Sequence, residues 1–332
     1  MNAETKPRET KVIAVGNQKG GVGKSTNTVN LAAALGELGR RSLVVDLDAN
    51  CGATRALGVP TSFLGTFEAL LGEESAADLI IKTDAEEGVR LPRNVDLLPG
   101  HRRLEEIDRV FRERRENKFK DPTDALLGPL QALRGNYDYI FLDTAPNASS
   151  PTIAAYKSAN WFILSMTPDK LALEALLDAL TDIVAVRDAG NPNLRLLGVV
   201  LTLVDKRTRI ASEYAERIRK DFEAAGHYGP FMTQISRAVV VPQSYESGLA
   251  LVEFAPDHMV TEQYRELARE VESRIAQLAI DTQTPLQPEV QSQPQTQPQA
   301  VPAPAAQPAA VVGEPEPPVV EVKPQMTEVS NG

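Results

Sequence analysis

Eight consecutive residues, Lys19-Gly20-Gly21-Val22-Gly23-Lys24-Ser25-Thr26, have the makings of a phosphate-binding loop. Glycines let backbone N–H groups converge on anionic oxygens, and a helix that starts just afterwards adds the positive end of its dipole. At that spacing Lys24 reaches the β- and γ-phosphates of a nucleotide such as ATP, and the Ser25 hydroxyl ligates Mg²⁺. The common expression G-x-x-x-x-G-K-[ST] asks for glycine at position 18. Gln18 stands there, and an additional lysine, Lys19, precedes the glycine pair. A second candidate is Asp46-Leu47-Asp48, which closes an apolar run and so places two carboxylates at the edge of a sheet beside the loop. A carboxylate there can orient an attacking water or hold a metal through water.

Positioning these groups takes a strand before the loop, a helix after it and further strands alongside. Val12–Val15 is a short apolar run, and 27–38 has helical spacing and stops at Gly39. The apolar runs Ser42–Asp46, Val95–Leu98, Tyr139–Leu142, Trp161–Ser165 and Leu196–Val200 repeat the theme. Continuous β-rich runs separated by helical segments predict an α/β fold, a doubly wound, mostly parallel sheet with helices on both faces. The domain is expected to span residues 11–280, after a flexible arm at 1–10. From Thr282 to Gly332 the chain holds 11 of its 24 prolines and no aromatic residue, too little apolar surface to offset ordering, so 281–332 is expected to be a disordered tail. Deleting residues 282–332 is therefore expected to leave nucleotide affinity unchanged; weaker binding of a fluorescent ATP analogue by the shortened protein would show that the tail contributes to the site.

Composition narrows the function further. Lys and Arg number 35 against 45 Asp and Glu, a net charge of −10, which argues against a protein that coats polyanions wholesale but allows a local basic patch. A single cysteine, Cys51, excludes a disulfide framework and a cysteine-ligated metal cluster supplied by one chain. The polar N-terminus lacks a signal-peptide core and no apolar run is long enough to span a bilayer, which predicts a soluble cytoplasmic protein.

The loop KGGVGKST resembles the deviant Walker A loop of the ParA/MinD superfamily, and the longer run GNQKGGVGKSTNTVNLAAAL is similar to ParA proteins. The resemblance covers most of residues 11 to 280. It implies a P-loop ATPase in which Gly20, Gly21, Val22, Gly23, Lys24, Ser25 and Thr26 cradle ATP, and Lys19 crosses a nucleotide-sandwich homodimer to the partner's phosphates. The family pattern D-x-D-P-Q-G-N-A-T reads here Asp46-Leu47-Asp48-Ala49-Asn50-Cys51-Gly52-Ala53-Thr54, so Asp48 falls on the hydrolysis aspartate while the stretch after it is altered. The run Tyr139–Pro146 resembles the Walker B strand, which assigns Asp143 to Mg²⁺ through coordinated water. Asp46 and Asp138 are read as structural.

By the same resemblance the ATP dimer grips DNA without sequence preference, and slow hydrolysis stimulated by a ParB-like partner releases it. Arg207 falls on a family DNA-contact position, Arg209 lies in the same basic stretch, and Arg237 retains the first arginine of I-P-R-N-V-R-L, whose second is Val240 here. The function implied is segregation or positioning of a cargo (a chromosome, plasmid or protein assembly) on the nucleoid, without membrane attachment. The alternatives are a membrane-cycling MinD-like ATPase, which needs a basic amphipathic C-terminal helix, and an ATP-dependent metabolic enzyme on the same fold. The last helical stretch, from about Pro256 to Ile280, has Val260, Tyr264, Leu267, Val271, Ile275 and Leu278 at three-to-four spacing with acids on its other face, a stripe suited to docking on the core. Residues 102–120 read as a solvated helix of mixed charge, and His101, His227 and His258 have no ligand spacing.

Overall fold

The computed structural model describes residues 9–83, 89–114, 121–169, 172–205, 209–224 and 229–281. Of the tail expected at 281–332, Asp281 instead ends the last helix, and residues 282–332 lie outside the described residues, as do the first eight residues of the expected arm. Thr10, the last residue of that arm, is buried, and its hydroxyl donates to the Tyr137 carbonyl at 2.8 Å.

Six strands are β1 (Lys11–Gly16), β2 (Ser42–Asp46), β3 (Val95–Leu98), β4 (Tyr139–Asp143), β5 (Trp161–Met166) and β6 (Arg195–Leu201). They form one parallel sheet in the order β3-β2-β4-β1-β5-β6. The helices are α1 (Lys24–Glu37), α2 (Gly52–Ala56), α3 (Thr66–Leu71), α4 (Ile107–Glu113), α5 (Leu127–Leu133), α6 (Ser150–Ser158), α7 (Ala172–Asp188), α8 (Arg209–Ala224), α9 (Val240–Glu246), α10 (Leu251–Phe254) and α11 (Met259–Asp281).

The strands read as unbroken apolar runs because both faces are covered. Val12 and Ala14 of β1 join a core with Ile140 and Leu142 and with Leu176 and Ile183 of α7. Ile13 and Val15 point the other way, into a core with Leu31 and Leu35 of α1 and Val260, Leu267 and Val271 of α11. The apolar stripe of α11 is thus spent on packing. Chain order reverses beside β1, with β4 on one side and β5 on the other, and in open α/β sheets ligands bind beyond the carboxyl ends of strands at such a point.

Two boundaries differ from the sequence expectation for local reasons. The first helix starts at Lys24 rather than 27, because Gly23 takes the left-handed conformation that starts it (φ +80°). The last helix starts at Met259 rather than Pro256, where His258 Nδ1 accepts the N–H of Val260 at 3.1 Å. The mixed-charge stretch is not wholly solvated: Leu104, Ile107 and Phe111 are buried, while residues 115–120 lie outside the described residues. His101 caps a short 3₁₀ turn by accepting Arg103 N–H, and His227 is outside the described residues.

Candidate nucleotide site

The phosphate loop follows β1 and is braced from one side of it, by β5 and by the residue that follows β6. The Val22 carbonyl accepts the Ser165 hydroxyl at 2.6 Å and the Thr202 hydroxyl at 2.9 Å. Asn17 Nδ2 donates to the Ser165 carbonyl at 2.8 Å, and Asn17 Oδ1 accepts Lys19 N–H at 2.8 Å. Gly21 (φ +74°) and Gly23 (φ +80°) lie in the left-handed region, where a side chain would strain the backbone. Because α1 begins at Lys24, the N–H groups of Lys24, Ser25 and Thr26 belong to its first turn and have no helical acceptor. The elements thus place Gly20 through Thr26 in the loop after β1 and the first turn of α1. Asn17, Ser165 and Thr202 escaped the sequence reading. Their signal is a polar residue at or just past the carboxyl end of an apolar strand run.

The two lysines divide. Lys24 is 7% exposed and its Nζ donates to the Lys19 carbonyl at 3.4 Å. Burial pushes its pKa down, opposed by the charges of Asp143 and Asp48. The Lys19 side chain is 40% exposed, and its Nζ lies 2.7 Å from Asp169 Oδ2. Lys24 is thus buried beside Asp143 and Asp48, whereas the Lys19 side chain is held by an ion pair open to solvent.

Asp46 and Asp143 are paired in register at the carboxyl ends of β2 and β4. Asp46 is structural as expected. It accepts Thr54 N–H at 2.9 Å, the Thr54 hydroxyl at 2.7 Å and Asp48 N–H at 3.1 Å, fixing the turn that carries Asp48. Burial lifts its pKa to about 6 against those donors. Asp143 is fully buried, Thr28 reaches its Oδ1 at 3.3 Å, and Oδ2 has no hydrogen-bond partner among the described residues. Burial and the adjacent Asp46 raise its pKa well above the usual carboxylate range, with the Ser25 hydroxyl and Lys24 acting the other way.

A buried carboxylate oxygen with no donor, beside a serine hydroxyl, is the environment a hydrated divalent cation satisfies, so Ser25 and Asp143 fit Mg²⁺. Since Asp143 must ionise to hold a cation, binding releases a proton, and magnesium affinity is expected to rise with pH. Titration calorimetry in buffers of different ionisation enthalpy checks this; heats independent of buffer would exclude proton release.

Asp48 Oδ1 accepts Asn50 N–H at 2.9 Å and Asn50 Nδ2 at 3.1 Å, which anchors its carboxylate at the wall of a cleft of about 520 Å³. Asn50, Arg55, Arg102 and Asn147 also line that cleft. Cys51 has φ +52° and is fully buried, and burial pushes its thiol up to about 11, so it plays no part as a nucleophile. The neighbouring Gly52 leaves no room for a side chain, because a Cβ there would overlap the Ser25 hydroxyl. Gly52→Ala is expected to displace that hydroxyl, costing about 1–3 kcal/mol in overpacking. It should weaken magnesium-dependent nucleotide binding about tenfold, since losing a ligand's placement costs roughly 1.4 kcal/mol or more. A magnesium titration identical to the parent's would argue against Ser25 as the ligand.

The expected DNA contacts are placed unevenly. Arg237 is exposed, and its N–H donates to the Val204 carbonyl at 3.0 Å. Arg209 opens α8, Arg207 lies outside the described residues, and the Arg209 side chain is likewise not described. Beside Val240, Val239 is 74% exposed.

A family model described as an AAA domain matches residues 10–196. The chromosome-partitioning ATPase Soj of Thermus thermophilus is 34% identical over 266 residues, which is 79% of this chain and 96% of that protein. The chromosome partitioning protein ParA of Caulobacter vibrioides is 30% identical over 270 residues, covering 80% of this chain and 94% of that protein. The chain belongs to the ParA/MinD family of P-loop ATPases. Among solved structures, cobyrinic acid a,c-diamide synthase of Mycobacterium smegmatis with bound ATP analogue and magnesium superimposes with a TM-score of 0.63 at 28% identity, over 78% of this chain and 93% of that one. Lys24 lies near enough to Asp143 and Asp48 for their charges to act on it, and a Cβ at Gly52 would meet the Ser25 hydroxyl, so the loop and the ends of β2 and β4 are neighbours. Asp169 joins them through Lys19, a contact the sequence did not advertise.

Proposed function

We propose that this ParA/MinD-family ATPase positions a cargo by cycling between a DNA-bound ATP dimer and a released monomer. The observation that carries the reading is the division of the lysines: Lys24 is buried beside Asp143 and Asp48, whereas Lys19 is part-exposed and ion-paired to Asp169. A cation at that position can leave the ion pair at little cost and reach the phosphates of a second copy. Gly20 through Thr26 hold the phosphates of ATP, and Ser25 and Asp143 hold Mg²⁺, which when bound neutralises charge developing between the β- and γ-phosphates. Asp48 orients the attacking water. Arg207, Arg209 and Arg237 supply phosphate contacts to DNA without reading its sequence. A ParB-like partner accelerates slow hydrolysis, and the cargo is a chromosome, a plasmid or a protein assembly on the nucleoid in the cytoplasm.

Among the described residues no helix is long and apolar enough to cross a membrane. The α11 stripe that a MinD-like membrane mode would use packs instead on the core, with Val260, Leu267 and Val271 fully buried. The test is binding to random duplex DNA with ATP, with ADP and without nucleotide, at two salt concentrations. ATP-dependent, salt-sensitive binding that Arg207→Ala abolishes supports the reading; absence of binding in every state refutes it.

A further inference from the structure

Gln263 and Tyr264, adjacent in α11, hold two separate parts of the molecule. Tyr264 is fully buried, and its hydroxyl donates to Asn27 Oδ1 at 2.8 Å. Asn27 Nδ2 donates to Ser165 Oγ at 2.8 Å, and that hydroxyl donates to the Val22 carbonyl at 2.6 Å. The relay therefore runs from the C-terminal helix into the phosphate loop. Gln263 is 6% exposed; its Oε1 accepts Ser236 N–H at 2.9 Å and its Nε2 donates to Ser236 Oγ at 3.0 Å. It thereby clamps the residue immediately before Arg237.

A second route closes the circuit. The Thr202 hydroxyl also donates to the Val22 carbonyl, at 2.9 Å. Just beyond, Ile235 N–H donates to the Leu201 carbonyl at 2.9 Å, Val204 N–H to the Ile235 carbonyl at 3.0 Å and Arg237 N–H to the Val204 carbonyl at 3.0 Å.

The Val22 carbonyl and the Gly23 N–H are the two ends of one planar trans peptide, and they point in opposite directions. A phosphate that draws the Gly23 N–H toward itself therefore presses the Val22 carbonyl against Ser165 and Thr202. Packing alone does not require a hydroxyl at 264, since a phenylalanine would fill the same apolar stripe between Val260, Leu267 and Ala268. Buried polar groups are retained at a cost unless each is satisfied, and every member of this circuit is.

We propose that Gln263 and Tyr264 are positioning residues that couple occupancy of the phosphate loop to the presentation of Arg237, so that α11 transmits nucleotide state to the DNA-contact segment. This rests on the reading of the chain as an ATP-dependent DNA binder. Coupling between sites is a ratio of affinities and is reciprocal: ATP tightens DNA binding by the factor by which DNA tightens ATP binding.

The experiment measures the affinity of the full chain for a short random-sequence duplex by fluorescence anisotropy, in ATP and in ADP, for the parent, Tyr264→Phe, Gln263→Met and Ser236→Ala. Arg269→Gln, an exposed change on the same helix outside the circuit, is the control. The ADP-to-ATP ratio of dissociation constants is expected to fall about three- to tenfold in each circuit variant and to stay at the parental value in Arg269→Gln, natural couplings of this kind being roughly 5- to 150-fold. Tyr264→Phe and Gln263→Met together should lower the ratio little further than either alone, because they interrupt one path. Melting temperature and far-ultraviolet circular dichroism identify any variant that fails to fold, and the remaining variants then decide. Parental ratios in folded circuit variants overturn the proposal and leave the functional reading standing. A ratio of one in the parent overturns both.

Discussion

Lys19→Ala abolishes the ATP-dependent dimer while leaving the fold and nucleotide binding by the monomer in place. The expectation follows from where the side chain sits. Lys24 is buried beside Asp143 and Asp48, whereas the Lys19 ion pair with Asp169 has both side chains about 40% exposed. Exposed pairs of this kind contribute about 0–1 kcal/mol, so losing one alters stability little. In a sandwich dimer the same lysine is removed from water and set against phosphate oxygens. Truncating a desolvated charge of that sort costs roughly 2–5 kcal/mol. Symmetry counts the loss twice, so the dimer dissociation constant should rise by about a thousandfold or more. Light scattering with ATP and magnesium reads the dimer, and a fluorescent nucleotide reads monomer binding. An undiminished dimer would rule out the cross-site role of Lys19, and lost nucleotide binding would return Lys19 to its own site. Asp169→Asn is the informative companion, since freeing Lys19 from its tether should leave the dimer intact or strengthen it.

What the sequence showed of this site, and what it did not, follows from the range of each signal. The phosphate loop was legible because its chemistry is contiguous: glycines needing positive φ, a lysine and a serine fall within eight residues between one strand and one helix. The strands were legible because a sheet buried on both faces leaves uninterrupted apolar runs, each of which became a strand within a residue or two. The start of α1 was misjudged by three residues, since helical spacing of apolar side chains begins only at Asn27 while the backbone turns at Gly23. Asn17, Ser165 and Thr202 were missed because their partners lie 143 to 180 residues away along the chain, or in the case of Asn17 148, and only the sheet order brings them together. The motif singles out Arg237, whose role the structure leaves as a proposal, but nothing in the sequence marks its link through Ser236 to Gln263, because a buried glutamine on an amphipathic helix looks like any other polar residue.

Asp48→Ala should lower the turnover number about a hundredfold or more while changing ATP affinity only a few-fold. A carboxylate that positions or deprotonates an attacking water typically contributes 10²–10⁴ to the rate, and it adds little to ground-state binding because it holds the water rather than the nucleotide. The geometry separates the two carboxylates. Three donors fix Asp46 as the support of the turn, and two donations from Asn50, at 2.9 and 3.1 Å, hold Asp48 Oδ1 at the cleft wall. Removing Asp46 should therefore destabilise the fold, whereas removing Asp48 leaves the turn's own support in place. Asn50→Ala frees the Asp48 carboxylate without deleting it and should fall between the parent and Asp48→Ala in turnover, as expected of a residue acting through another. If Asp48 acts on water, the alanine variant accumulates the ATP dimer, because formation continues while hydrolysis does not. Single-turnover hydrolysis and light scattering on the same sample separate the outcomes. A slow variant that still dimerises with ATP assigns Asp48 to hydrolysis, a variant that neither binds nor dimerises assigns it to assembling the site, and parental turnover moves the water-orienting role elsewhere along the cleft, where Asn147 and Ser149 are polar side chains on the loop that follows Asp143.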